Sequence, residues 1–168
     1  NLNSEIKLFC PVVKSSGKII SPNIFLVGRF FIMPSVKPGK KKLKYYSVIN
    51  SGMTVELNAF KSVGGYCEGF NLDFSDHYFI DEFKKKFLFF FILNSINLQQ
   101  LSSVEKGNVE KIFDRFIIYF RSAILFKQKT HHTLIVFWAL VRAVKLSVEH
   151  ENLSFIKTAF SMVKRINT

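Results

Sequence analysis

The amino-acid sequence predicts an α+β fold, an antiparallel β-barrel or sandwich followed by an antiparallel helix pair. Up to about residue 75, short runs rich in Val, Ile, Phe and Tyr alternate with turn residues, the pattern of successive strands. Beyond it, apolar residues recur at i, i+3, i+4 and i+7, the period of amphipathic helices. Composition supports a packed chain. The 168 residues suit one domain, and 48% apolar residues with only 8 Gly and 4 Pro exclude a disordered or collagen-like sequence.

The expected strands are residues 18–20, 24–33, 43–49, 53–60 and 66–74. Between them stand Ser16 and Gly17, Ser21 and Pro22, Lys37 to Gly39 through Pro38, Asn50 to Gly52, and Gly64 and Gly65. Strands at this spacing indicate a sandwich or small barrel. The most hydrophobic stretch, residues 87–93, follows Lys84, Lys85 and Lys86 and is interrupted by Asn94 and Ser95. It falls far short of the roughly 20 residues a membrane span needs. A buried turn or short helix behind a solvated lysine cluster is expected there, the alternative being a membrane-surface contact by residues 84–93.

The first long helix begins behind a capping box, Ser102 with Glu105. Val109, Ile112, Phe113, Phe116, Ile117, Phe120 and Ile124 then form its apolar stripe. A second helix is expected over residues 130–150, with Leu134, Phe137, Trp138, Val141, Val144 and Val148 on one face. The short link between the two predicts antiparallel neighbours. A third segment, 152–166, opens on Asn152 as cap and carries Leu153, Ile156, Phe160 and Val163 on one stripe.

Catalytic chemistry leaves little trace. His77, His131, His132 and His150 lack the spacing of a metal site, and adjacent histidines on a helix diverge, so surface or cap roles are expected. No GxSxG, Walker loop or GxGxxG occurs. Asp73, Asp76, Asp81 and Glu82 lack the ligand alternation of a calcium loop. Cys10 and Cys67, without a CxxC, suggest two reduced thiols in a cytoplasmic protein, and residues 1–13, broken by Glu5, Lys7 and Pro11, do not resemble a signal peptide. No enzyme, metal or cofactor is expected.

The net charge of +12 favours anionic partners or sets the surface of a fragment. Its densest run, Lys40, Lys41, Lys42 and Lys44 beside Tyr45 and Tyr46, suits phosphates and stacked bases, and equally a solvated hairpin loop. The 20 phenylalanines point elsewhere. Many fall in expected strands, where inward residues either fill a barrel or line a pocket for an apolar ligand.

The second half has a characteristic order of features. Gly65 and Tyr66 precede Glu68, Gly69 and Phe70, then Leu72, Asp73 and Phe74, then Phe79 and Phe83, then Phe89 to Phe91. Ile112, Phe113 and Phe116 follow on one helix, and Trp138 to Arg142 on the next. Over about residues 64–148 this resembles the N-terminal regulatory domain of AraC-type transcription regulators. The resemblance implies a cupin-like barrel with two antiparallel helices outside it, spanning residues 1–150. It implies an effector-sensing and dimerising module without metal histidines. DNA would be contacted only by a C-terminal helix-turn-helix domain lacking here, with 151–168 as linker or as that domain's first helix. Phe30 to Pro34 resembles the family's strand-then-proline turn.

On this reading Phe31, Tyr45, Tyr66 and Phe70 are the candidates for a small-molecule effector pocket. Ile112, Phe116, Phe120, Leu134, Phe137 and Val141 are the candidates for homodimer contacts, unless that stripe covers the barrel. The competing expectation is a small basic nucleic-acid-binding accessory protein using residues 40–46. No membrane partner is expected.

Overall fold

The computed structural model describes residues 5–71, 73–99 and 108–165. They fall in two compact units, one drawn from residues 1–26, 30–68 and 75–101, the other from 27–29, 69–74 and 102–168. The fold is α+β, with a curled mixed sheet and helices.

The first unit is organised by a strand that the turn residues do not mark. Strand β1 (Leu8–Ser15) places Leu8, Cys10 and Val12 in the core. Pro11 sits where its register with a neighbouring strand slips, between Cys10 and Val12. Proline has no N–H for the ladder, so a bulge is where a strand can hold one. β1 pairs antiparallel with β2 (Lys18–Ser21) and with a short strand (Thr54–Val55), and parallel with another (Phe89–Leu98).

In chain order the remaining strands are β3 (Asn23–Leu26), β4 (Arg29–Phe31), β5 (Gly39–Lys42) and β6 (Tyr46–Ser47), so Thr54–Val55 is β7 and Phe89–Leu98 is β8. The larger sheet runs β2–β1–β8–β5, with β7 also on β1, and a three-stranded sheet runs β4–β3–β6. The parallel β1–β8 pair makes the sheet mixed, where a purely antiparallel one was expected.

Residues 87–93 are therefore not a turn or short helix. Phe90 and Ile92 of β8 are fully buried, and Phe89, Phe91 and Leu93 are half-buried. A strand covered in part on both faces reads as a continuous apolar run, which periodicity cannot tell from a helical piece. The expected strand 24–33 is broken at Val27 and Gly28, both at positive φ. Residues 53–60 hold only β7 before helix α1 (Leu57–Ser62) takes over. Among the described residues of 66–74 there is no strand. Positive φ at Gly64 and Gly65 turns the chain there, and helix α2 (Ser75–Lys84) follows.

α2 supplies Phe79, Ile80 and Phe83 to the core, all fully buried with Leu8, Cys10, Leu43, Phe90 and Ile92. Each large side chain removed from water stabilises by about 1.5–3 kcal/mol. Of the aromatic residues of this unit, Phe79, Phe83 and Phe90 are buried in its core, with Tyr46, Phe60 and Phe87 packed against it in part.

The second unit is a set of three helices packed on one another: α3 (Val109–Thr130), α4 (Leu134–Glu149) and α5 (Ser154–Lys164). The Asn108 side chain caps α3, accepting from the Glu110 N–H at 3.0 Å, and His131 closes it in the left-handed conformation. The capping-box residues Ser102 and Glu105 lie outside the described residues, as do Leu72 and Ile166. Ile112, Phe116, Phe120 and Phe126 form the buried face of α3.

On α4 the buried face is not the large apolar stripe. Ile135, Val136, Ala139, Ala143, Leu146 and Ser147 are buried, while Leu134, Phe137, Val141, Val144 and Val148 are 43–74% exposed. Small residues at 139, 143 and 147 let the neighbouring helix axes approach closely. α5 buries Phe155 and Ala159 and leaves Leu153 and Phe160 outward. Asn152 accepts from the Ser154 N–H at 2.9 Å.

Asp73, from residues 69–74, forms a two-pronged ion pair with Arg115 of α3, one contact being 2.6 Å. The Trp138 indole N–H donates to the Val27 carbonyl at 3.0 Å, and Arg29 lies 4.8 Å from the centre of the same ring.

Candidate functional site

Two lysine clusters far apart in sequence meet in the sheet unit. β5 pairs antiparallel with β8, setting Lys40 opposite Phe91, Lys41 opposite Phe90 and Lys42 opposite Phe89. Immediately after, the Leu43 N–H donates to the Leu88 carbonyl at 2.8 Å, and the Leu43 side chain is fully buried. Anchored there, Leu43 holds its neighbours Lys42 and Lys44 beside Leu88. Lys84, at the end of α2, arrives at the same place because the chain turns tightly from α2 into β8. The Phe87 N–H donates to the Phe83 carbonyl at 2.9 Å, and the two rings lie 4.5 Å apart.

The outcome is a hollow of about 340 Å³ lined by Lys42, Lys44, Lys84, Phe87, Leu88 and Phe89. Its volume is at the small end of the range usual for small-molecule sites, about 300–1,000 Å³. Leu88 is 71% exposed, so the hollow opens to solvent.

The charges around it differ in their freedom. Lys40 is held 2.5 Å from Glu5 and 4.1 Å from the centre of the Phe89 ring. Lys85 pairs with Glu82 at 2.6 Å, and Lys86 donates to the Ser62 carbonyl. Lys84 lies 3.9 Å from Asp81, and burial pulls its pKa down while Asp81 pulls it up. Among the described residues neither Lys42 nor Lys44 has a carboxylate partner.

Lysines on β5 also have a plain structural use. β5 ends the order of the larger sheet, and charged side chains on an edge strand discourage pairing with another chain. The hollow adds to that role the apolar side chains of Phe87, Leu88 and Phe89, which edge protection does not need.

The sequence-derived pocket residues lie elsewhere. Phe31, Tyr45 and Tyr66 are 42%, 53% and 38% exposed, Phe70 is buried in the other unit, and none of the four lines the hollow. Tyr66 packs on Phe60 and Phe79, and burial with Asp76 nearby raises its pKa to about 12. Of the helix residues, Ile112, Phe116 and Phe120 are buried in the helical unit, while Leu134, Phe137 and Val141 are exposed on α4. The run at 40–44 and the cluster at 84–86 were visible in the sequence as separate features. Only the β5–β8 register joins them.

Other candidate chemistry resolves into structure. The acidic residues disperse: Asp73 to Arg115, Asp76 to the Asn50 N–H at 3.1 Å, Asp81 to Lys84 and Glu82 to Lys85. Among the described residues no group of three or more His, Cys, Asp or Glu could hold a metal ion. Cys10 and Cys67 are free thiols, and burial raises the Cys10 pKa to about 12, which keeps it protonated. No helix among the described residues is long and apolar enough to cross a membrane.

Ser47 Oγ lies 2.6 Å from His77 Nδ1, and the imidazole stacks on Phe30 at 3.8 Å between ring centres. Ser47 is only 1% exposed, beyond the reach of a substrate, so the pair is a structural hydrogen bond. Burial, then the charge of Lys84, lowers the His77 pKa from 6.5 to about 3. The unfolded chain therefore takes up a proton near pH 6.5 that the folded one refuses, and stability falls as pH drops from there towards 3. Between pH 7 and pH 5 His77 should cost about 1–2 kcal/mol. The raised pKa of Asp76 acts in the opposite sense, lower down. Urea titrations of the wild type and His77→Asn at both pH values check this; an equal acid loss in both proteins would remove His77 as its source.

Comparison with known proteins leaves the site to stand on its own geometry: no family model, no curated protein and no solved structure matches this chain.

Proposed function

We propose that the chain is an effector-sensing and dimerisation module, of the kind the resemblance to AraC-type regulators implies, and that its effector seat is the hollow beside Leu88. The observation that carries this reading is a small, solvent-open hollow in the sheet unit, lined by hydrocarbon from Phe87, Leu88 and Phe89 and by three lysines, two of them without a carboxylate partner among the described residues. The exposed α4 stripe, Leu134, Phe137 and Val141, supports pairing of two copies through helices. Ile112, Phe116 and Phe120 would then support α4 from within. The finer expectation of a cupin-like barrel with an antiparallel helix pair belongs to the same proposal, as does DNA contact through a separate domain.

Sedimentation at 10–100 µM protein tests the dimer, since an isologous helix contact of this kind is lost when charge enters its centre. The wild type should sediment as a dimer and Phe137→Asp as a monomer with unchanged helicity. A monomeric wild type throughout that range would remove dimerisation from the reading.

One observation favours a second reading, nucleic-acid binding: Lys42, Lys44 and Lys84 gather around one hollow beside the half-buried rings of Phe87 and Phe89. Phosphate contacts by Lys42, Lys44 and Lys84 would make the logarithm of affinity fall with that of salt at a slope of roughly −2 to −3. Fluorescence anisotropy with generic single- and double-stranded DNA should show no binding at 150 mM salt. Tight binding with that slope would displace the sensor reading.

A further inference from the structure

The chemical class of the ligand follows from what lines the hollow, and it rests on the reading of that hollow as an effector seat. Three of its lining side chains, Lys42, Lys44 and Lys84, only donate hydrogen bonds and carry positive charge. The other three, Phe87, Leu88 and Phe89, offer hydrocarbon alone. No lining side chain accepts a hydrogen bond, so a sugar or other polyol would leave its hydroxyl donors without side-chain partners. A cation would be repelled. A neutral hydrocarbon would strip water from the ammonium groups and return nothing.

We propose that the hollow binds a small organic anion, its carboxylate held by Lys42, Lys44 and Lys84 and its compact apolar body lying on Phe87, Leu88 and Phe89. Lys42 and Lys44 have no carboxylate partner among the described residues, so an incoming anion breaks no ion pair there. Lys84 is already withdrawn from water, with Asp81 at 3.9 Å as its ion-pair partner. A carboxylate at closer range compensates that ammonium better than Asp81 does. The volume of about 340 Å³ limits the body to a single aryl ring or a short branched chain and excludes a dinucleotide or a long acyl chain.

Phenylacetate is the probe, compared with 2-phenylethanol as its neutral counterpart, phenethylamine as the cation and acetate as the anion without a body. Titrations of the full chain by calorimetry and saturation-transfer NMR should show saturable binding of phenylacetate, with the other three at least about tenfold weaker. Lys44→Gln should weaken phenylacetate about fivefold or more, and Leu88→Glu should abolish its binding. Leu88 is largely exposed, so Leu88→Glu should melt like the wild type. Equal binding of 2-phenylethanol or phenethylamine, or phenylacetate binding that survives Leu88→Glu, would overturn the proposal. A fragment screen followed through the Leu88 methyl signals separates the two levels. Neutral or cationic fragments that saturate those signals while phenylacetate does not overturn the ligand class and leave the seat. Absence of any response at millimolar concentrations overturns both.

Discussion

Phe90→Ala should cost the protein about 3–5 kcal/mol, the usual penalty for truncating a buried aromatic side chain. Phe90 is fully buried at the middle of the core shared by β8, β1 and α2, and its ring lies 5.3 Å from that of Tyr46. The surrounding side chains come from elements paired in two directions, which leaves little room for collapse into the vacated space. Since a domain is stable by only about 5–15 kcal/mol, the loss is a large share of the total. It would appear as a lower urea midpoint at unchanged slope. Leu98→Ala, on the same strand but 84% exposed, should stay within about 0.5 kcal/mol of the wild type. If the two substitutions cost the same, Phe90 is not held in a packed core.

The helical unit has its own counterpart in Phe155. That ring is fully buried and meets Phe113 and Phe116 edge-on at 5.2 and 5.4 Å, with His150 beside it. Edge-to-face pairs add about 0.5–1.5 kcal/mol each beyond the area buried. Phe155→Ala should therefore also cost about 3–5 kcal/mol and loosen α5 from α3 and α4. Hydrogen exchange of the α5 amides reads the loosening directly. Phe160→Ala, on the exposed side of the same helix, should leave both quantities nearly unchanged. Unaltered exchange in Phe155→Ala would mean that α5 is not held by this contact. Within this unit α5 packs on both α3 and α4.

Helices were the most legible part of the fold. The spacing of Ile112, Phe116 and Phe120 specifies both a helix and its buried face, because on α3 the largest side chains are also the covered ones. On α4 the same logic finds the apolar stripe but not the covered face. The stripe of Leu134, Phe137 and Val141 is real, yet the covered face is the one bearing Ala139, Ala143 and Ser147. Hydrophobicity ranks faces by size and apolarity, whereas close packing of helices favours small residues at the contact.

Strands were less legible, for a different reason. β1 carries a proline, which in an isolated sequence argues against a strand and here marks a bulge. β8 looks continuous rather than alternating because both its faces are partly covered. The segment at 53–60 changes from strand to helix within a few residues, and no single period describes it.

For the candidate site, residue types were legible and their meeting place was not. The aromatic residues nominated for a pocket, Phe31, Tyr45 and Tyr66, lie partly exposed, and Phe70 is buried in the other unit. The hollow is instead made by two lysine clusters and by Phe87, Leu88 and Phe89 from the apolar run.

By itself the sequence determined the α+β composition, the three helices α3 to α5 and the presence of two basic clusters beside aromatic residues. Each of these depends on neighbours within a few positions, where periodicity and turn chemistry act. Tertiary structure alone decided that β1 and β8 run side by side, which face of α4 is covered, and that residues 42–44 stand against residues 84–89. Those outcomes depend on pairing register and on the fit of remote side chains, which no local pattern encodes.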